Sequence, residues 1–170
     1  MTGALPLGSM SMTTKLNNHI ADLALAKTSD PENEKPLYRR EGLDGTSTFE
    51  DLDTKIGEAL RACRQDKNLS RAELATLVGL SEQVYGRYER NSSKMHVSRL
   101  IHLSEVLGVS PLTMLFSAAP HLWGTTKEEA DTRFRMIKFL EDLPFETMSS
   151  IVTLLETVSV LQNGAAKPDE

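Results

Sequence analysis

Cysteine, aromatic residues and long apolar runs are all scarce in this chain of 170 residues. Its single cysteine, Cys63, excludes an intramolecular disulfide framework and a metal site built from several cysteines. No apolar run approaches the roughly 20 residues that a membrane-spanning helix requires. The N-terminus also lacks the basic region and apolar stretch of a secretory signal. These absences predict a cytoplasmic protein without a membrane partner.

An overall excess of positive charge is missing too, because the formal net charge is −5. The charges are, however, unevenly distributed along the chain. Residues 54–118 carry nine Lys and Arg against six Asp and Glu, whereas residues 1–53 and 119–170 each carry five against nine. A basic centre between acidic flanks is typical of a nucleic-acid-binding module with appended segments.

The residue patterns that would support catalysis are likewise lacking. The sequence has no Gly-rich phosphate-binding loop and no His-Glu-x-x-His motif, and its four histidines are scattered. We find no convergent set of acid, base and nucleophile. We therefore expect a protein that is not an enzyme and that holds no cofactor or metal.

The sequence is rich instead in residues that favour helices, with apolar residues at helical spacing. Ser47 followed by Glu50 predicts a capping box at the start of a first core helix. Four further helices are predicted before Phe116, because serines stand where helices would begin and Gly or Asn where they would end: Ser70, Ser81, Ser110, Gly79, Asn91 and Gly108. Five helices in about seventy residues predict a compact bundle.

The flanks of this bundle show weaker patterns. Residues 1–46 are expected to be a flexible N-terminal segment that contains at most one short helix and a polar, proline-bearing linker. Residues 119–125 read as a connector. Residues 126–163 are predicted to form a hairpin of two helices, and residues 164–170 a frayed tail.

The stretch LSRAELATLVGLSEQVYGRYERN, residues 69–91, contains two predicted helices joined by only Gly79-Leu80-Ser81. So short a turn makes two helices cross steeply, as in the helix-turn-helix unit. With HLSEVLGVSPLTML further along, residues 54–116 resemble the Cro/lambda-repressor-like (XRE-type) helix-turn-helix family, although Asn91 stands where that family usually has Gly. The resemblance implies an all-α fold: a five-helix lambda-repressor-like DNA-binding bundle at residues 47–118, followed by a two-helix dimerisation hairpin.

The resemblance also implies a function. It predicts a bacterial or phage transcriptional regulator, a homodimeric repressor that binds a palindromic double-stranded DNA operator through the major groove and is nucleoid-associated when bound. The residues matching the family's DNA contacts are Arg71, Ser81, Glu82, Gln83, Arg87, Ser92, Ser93 and Lys94. Gln83 is suited to adenine, and Arg87 to guanine or a phosphate. Glu82 would accept from cytosine or act against wrong sequences.

Charged residues nearby receive a structural interpretation instead. Glu89 is expected to pair with a neighbour such as Arg64, and Arg90 to remain at the surface. For Arg71, which stands at the start of the second helix, we expect a phosphate contact because the helix N-terminus adds its own amides there.

Dimerisation is predicted for the C-terminal helices, whose apolar residues cover more of the circumference than one neighbour requires. The candidate residues are Phe134, Ile137, Met148, Ile151, Leu155 and Val158. An alternative is that both helices fold back onto the bundle. Two other functions also stay open: an antitoxin that binds a toxin and represses its own operon, and an adaptor that binds proteins but not DNA.

Overall fold

The computed structural model describes the backbone of residues 7–164 and the side chains of residues 13–161. The described chain is mostly helical and contains one small sheet. Its elements are α1 (Leu7–Asp22), β1 (Leu25–Thr28), β2 (Leu37–Arg40), α2 (Phe49–Asp66), α3 (Arg71–Leu77), α4 (Glu82–Glu89), α5 (Val97–Leu107), α6 (Pro111–Ala118), a 3-10 helix (Pro120–Leu122), α7 (Lys127–Glu141) and α8 (Phe145–Gly164). All but the first residue of the predicted tail at 164–170 lie outside the described residues.

Helices α2 to α6 share one apolar core. Helix α2 packs against α4 and α6, α3 packs against α4, and α5 packs against α6. The largest fully buried side chains come from all five helices: Leu60, Leu74, Tyr85, Leu103 and Met114. Burial of these side chains, at roughly 1.5–3 kcal/mol for each aliphatic one, is the main force that holds the bundle together.

The ends of these helices follow the local signals of the sequence. The side chains of Ser70, Ser81 and Ser110 accept hydrogen bonds from backbone amides of the helices that follow them, as predicted. Gly79 and Asn91 have φ of 68° and 52°, the left-handed conformation that ends a helix. The predicted capping box of α2 is wrong by one residue, because Thr48 and Asp51 form it.

The prediction for residues 1–46 is incomplete, since the described part of the segment contains two strands as well as a helix. β1 and β2 pair antiparallel, with Leu25 opposite Arg40 and Thr28 opposite Leu37. The expected polar linker is the connection between these strands, residues 29–36, which we call the hairpin loop. The fold is therefore mostly helical and not purely all-α.

The C-terminal helices differ from each other in how they pack. Helix α7 is attached through an aromatic cluster: the ring of Phe116 stacks on Phe134 at 4.0 Å and meets Trp123 edge-on at 5.4 Å. Arg133 Nη1 also donates to the carbonyl of Trp123 at 2.9 Å. Within residues 7–164, α8 packs extensively against no other element, and the hairpin of α7 and α8 stays a prediction. No described helix is both long and apolar enough to span a membrane.

Candidate nucleic-acid interface

The turn between α3 and α4 is fixed by backbone hydrogen bonds. The amide of Leu80 donates to the carbonyl of Ala75 at 2.9 Å, and that of Gly79 to Thr76 at 3.2 Å. Arg99 Nη1, from α5, donates to the carbonyl of Val78 at 3.1 Å. The turn therefore holds the N-terminal end of α4 in a fixed direction relative to the bundle.

Helix α4 has one face in the core and one in solvent. Tyr85, Gly86 and Glu89 are buried, whereas the predicted DNA contacts Ser81, Glu82, Gln83 and Arg87 are all exposed. The exposed residues lie at the N-terminal end and along one side of the helix, as their spacing predicts. Within the described chain, the side chains of Gln83 and Arg87 take part in no ion pair or side-chain hydrogen bond, so both can bind a ligand without breaking one.

The loop between α4 and α5, residues 90–96, carries the predicted backbone contacts. Ser92, Ser93 and Lys94 are exposed. Asn91 Nδ2 donates to the carbonyl of Glu50 at 3.2 Å and to Thr54 Oγ1 at 3.1 Å. The loop is thus fixed to the start of α2 by the Asn91 side chain, a role that no local sequence pattern indicates.

A buried ion cluster lies behind the exposed face of α4. Glu89 Oε1 accepts from Arg64 Nε at 2.6 Å and from the Tyr85 hydroxyl at 2.8 Å. Its Oε2 accepts from Arg64 Nη2 at 3.1 Å and from Arg71 Nε at 2.8 Å. Arg64 also donates from Nη1 to the carbonyl of Leu69 at 2.6 Å. We call these four side chains, Arg64, Arg71, Tyr85 and Glu89, the Glu89 cluster.

The Glu89 cluster confirms one sequence prediction and adds an unpredicted ion pair. Glu89 pairs with Arg64, as predicted, and its side chain is fully enclosed. Arg71, for which we predicted a phosphate contact, donates from Nε into the cluster and keeps 35% of its side chain exposed. Arg71 therefore links α3 to α4, and a phosphate contact from it would come from its remaining nitrogens.

The charge of Glu89 is stabilised by its neighbours. Burial alone would raise the pKa of Glu89, but hydrogen bonds from Arg64, Arg71 and Tyr85 lower it to about 2. Burial and the hydrogen bond to Glu89 raise the pKa of Tyr85 above its ordinary value. Glu89 is therefore ionised and Tyr85 is neutral throughout the physiological pH range, so the cluster behaves as a fixed ionic clamp between α2, α3 and α4.

The predicted dimerisation residues fall into two groups. Phe134 and Ile137 lie on α7, and the Phe134 ring is stacked within the chain on Phe116. Met148, Ile151, Leu155 and Val158 lie on α8, where Leu155 is 50% and Val158 is 41% exposed. Only the α8 group belongs to a helix that has no extensive intrachain partner among the described residues. Phe134 thus serves to attach α7, a role that the sequence pattern did not distinguish from dimerisation.

Comparison with known proteins identifies the central part of the chain. A family model described as Helix-turn-helix matches residues 60–113. This segment is an XRE-type helix-turn-helix domain. Its first helix, α3, and its second, α4, are the two helices joined by the short turn, and α2, α5 and α6 complete the bundle around them.

The helix-turn-helix domain has relatives among curated proteins. It is 39% identical over 55 residues to an SPbeta prophage-derived uncharacterized HTH-type transcriptional regulator, YonR, of Bacillus subtilis, covering 32% of this chain and 51% of the relative. It is 31% identical over 81 residues to Multiprotein-bridging factor 1 of Candida albicans, covering 48% of this chain and 53% of the relative. The chain thus spans about half the length of these two curated relatives.

A solved structure also resembles part of this chain. The restriction-modification controller protein C.AhdI from Aeromonas hydrophila is 32% identical, with 39% of this chain and 98% of that chain covered and a TM-score of 0.36.

Within the described residues, no group of His, Cys, Asp and Glu side chains is arranged to hold a metal ion.

Proposed function

We propose that this protein is a DNA-binding transcriptional regulator whose helix α4 enters the major groove of double-stranded DNA. The observation that carries the proposal is the start of α4, where Gln83 and Arg87 are exposed and have no side-chain partner in the described part of the chain, while the opposite face is fixed in the core. The major groove of B-DNA admits an α-helix and displays a distinct donor and acceptor pattern for each base pair. In a helix-turn-helix unit, the second helix presents its N-terminal residues to those base edges.

We assign base contacts to three residues of α4. The amide of Gln83 matches the adjacent acceptor and donor of adenine, and the guanidinium of Arg87 matches the two acceptors of guanine or a phosphate. Glu82 accepts from cytosine, or disfavours other bases by repulsion when no donor is present.

Backbone contacts come from four positions around α4. Ser92, Ser93 and Lys94 lie in the loop that follows the helix, and Ser81 caps its N-terminus. The Ser81 oxygen accepts from the amide of Val84 at 3.3 Å, which leaves its hydroxyl proton available for a phosphate oxygen. Such contacts position the protein on DNA without reading the sequence.

We further propose that the regulator is a homodimer on a palindromic operator, and that repression follows from occupancy of that site. Met148, Ile151, Leu155 and Val158 are spaced three, four and three residues apart, which is the spacing of a coiled-coil seam. This seam lies on α8, which has no extensive partner within residues 7–164, so we assign a second copy of α8 to it. A symmetric dimer would read two half-sites about 34 Å apart.

Selection of bound duplexes from a random pool tests the function directly. We expect a palindromic consensus with half-sites one helical turn apart, and affinity that falls steeply with salt. Binding without any preferred site would contradict the specific-regulator proposal. Failure to bind any duplex at low salt would overturn DNA binding altogether and favour a protein-interaction adaptor.

Removing one base contact should change both affinity and preference. We expect Gln83→Ala or Arg87→Ala to cost roughly 1–3 kcal/mol at the selected site and to relax preference at one base position in each half-site. The measurement is a repeat of the selection, together with titration of the selected and a scrambled duplex.

The matched control for the first variant is Gln65→Ala, which removes an exposed glutamine from α2. It should leave the base preference unchanged. Equal losses on the selected and the scrambled duplex would show that the substituted residue of α4 does not read bases.

A further inference from the structure

The acidic hairpin loop lies against the loop that we assign to the DNA backbone. The Glu32 carboxylate of the hairpin loop forms an ion pair with the Lys94 ammonium of the α4–α5 loop, 62 residues further along the chain. The side chain of Lys94 is 63% exposed and that of Glu32 is 35% exposed. The pair is therefore accessible to an anion in solution.

The position of Glu32 is fixed by a buried neighbour. Asp30 is only 4% exposed, and its carboxylate accepts from the amide of Glu32 at 3.0 Å and from the amide of Phe49 at 2.8 Å. Because Phe49 is the first residue of α2, this carboxylate fastens the hairpin loop to the start of that helix. Arg39 of β2 adds a second attachment, since it donates to the carbonyl of Ser47 and lies over the Phe49 ring at 5.1 Å.

The position of Lys94 is fixed independently from the other side. Asn91 attaches the α4–α5 loop to Glu50 and Thr54, which lie in the first two turns of α2. Both loops are therefore fastened to the N-terminal end of α2, which brings Glu32 and Lys94 together. Their contact follows from two separate anchors and does not depend on chance meeting of two long side chains.

The charges around Lys94 are predominantly negative. The hydrogen bond from Lys94 to Glu32 raises the pKa of the lysine, and the charges of Asp53 and Asp30 act in the same direction. A DNA phosphate that approaches Lys94 would thus meet carboxylates already in place. Affinity for the DNA backbone depends on how many phosphates free cations can neutralise.

We propose that Glu32 is an intramolecular competitor for DNA phosphate, which occupies Lys94 in the free protein and must release it before that lysine can contact the DNA backbone. This inference rests on the proposed function, because it assigns Lys94 to a phosphate. The competition acts equally at every DNA sequence, since phosphates carry no base information. The hairpin loop therefore sets the concentration at which the regulator occupies DNA, while α4 sets its sequence preference.

The test compares two glutamate substitutions in the same loop. Glu32→Gln removes the competing charge, whereas Glu34→Gln removes an equal charge from an exposed residue that does not pair with Lys94. We expect Glu32→Gln to bind the selected and a random duplex about two- to five-fold more tightly than the wild type, with a salt slope steeper by about one. We expect Glu34→Gln to follow the wild type.

A double-mutant cycle with Lys94→Ala makes the assignment specific. In the Lys94→Ala background, Glu32→Gln should no longer change affinity, because the contested cation is absent. Thermal unfolding of each variant checks that the fold is kept. Measurements by fluorescence anisotropy at several salt concentrations give both affinity and slope.

Three results would overturn the inference while the proposed function stands. If Glu32→Gln and Glu34→Gln bind DNA more tightly to the same extent, the loop repels DNA through its overall charge. If Glu32→Gln binds DNA as the wild type does, Glu32 does not compete for Lys94. If Glu32→Gln binds DNA more weakly, Glu32 positions Lys94 for DNA. If the wild type binds no duplex at low salt, the proposed function itself fails and the inference falls with it.

Discussion

Replacing Glu89 with alanine is expected to lower the free energy of unfolding by about 3–5 kcal/mol, because the change leaves buried positive charge without a partner. The Arg64 side chain is 8% exposed and loses two of its hydrogen bonds, while Tyr85 and Arg71 lose one each. Since α2, α3 and α4 all contribute to the Glu89 cluster, the loss should destabilise the whole bundle. Urea denaturation followed by circular dichroism measures the change.

The control for this substitution is Glu58→Ala, which removes the same side chain from an exposed position on α2. It should change the free energy of unfolding by less than about 0.5 kcal/mol. A comparably small change for Glu89→Ala would mean that the cluster contributes little to stability. A smaller loss for Arg71→Ala than for Arg64→Ala would agree with the greater exposure of Arg71.

The same cluster predicts a dependence of stability on pH. The pKa of Glu89 is about 2 in the folded protein, against an ordinary value of 4.5. A carboxyl group whose pKa is lowered by folding stabilises the fold fully above its ordinary pKa, and that contribution is lost as pH falls toward the folded value. The wild type should therefore lose stability between about pH 4.5 and pH 2.

The comparison variant for this pH effect is Glu89→Gln, which cannot titrate at that position. It should begin less stable and lose less over the same interval, so that the difference between the two proteins shrinks as pH falls. The free energy of unfolding, measured by urea titration at several pH values, gives both curves. Parallel curves would show that Glu89 does not ionise with a lowered pKa.

Local signals explain why the bundle could be predicted. Ser70, Ser81 and Gly79 act on amides and backbone angles within a few residues, so their effects can be read from the neighbouring sequence. The sequence alone does not decide where the capping box of α2 begins, because Ser47 and Thr48 are both followed at the third position by an acidic residue. The choice between them is set by the hairpin, since Arg39 and Asp30 hold Ser47 and Phe49.

The hairpin itself could not be predicted by the same means. β1 and β2 have four residues each and are joined by an eight-residue connection that lacks the short Asn-Gly or Asp-Gly signal. The contacts that hold it join residues far apart in the chain, such as Asp30 with Phe49 and Glu32 with Lys94. A composition rich in Pro, Glu and Asn is typical of a linker. In this loop, however, contacts with distant residues order the chain.

The candidate site was predictable only in part. The exposure of Gln83 and Arg87 follows from helical spacing, and the Glu89–Arg64 pair was expected. The link from Arg71 to Glu89 was not, because an arginine in the first turn of a helix has the same sequence context whether it faces a phosphate or a buried carboxylate. The roles of these side chains on DNA remain predictions for the experiments described above.

The apolar seam of α8 leads to the prediction with the largest effect on binding. We expect Leu155→Asp to convert a dimer into a folded monomer and to weaken binding to the palindromic duplex by about 100-fold or more. A charge in the centre of a seam between two copies of α8 would be buried without a partner, whereas in the monomer it stays in water. Light scattering at micromolar concentration measures the mass, and titration of the palindromic duplex measures the affinity.

Ser159→Asp is the matched control, because it adds the same charge to an exposed residue of α8 outside the seam. It should keep the mass and affinity of the wild type. Binding to an isolated half-site distinguishes loss of dimerisation from damage to the helix-turn-helix domain. A monomer with an intact domain makes all the contacts of one half-site. Leu155→Asp should therefore bind the isolated half-site as a wild-type monomer would. If the Leu155→Asp protein still has the mass of a dimer, the dimer interface does not lie on the α8 seam. A monomer with undiminished affinity for the palindrome would instead show that the two half-sites are occupied independently, because avidity requires a link between them.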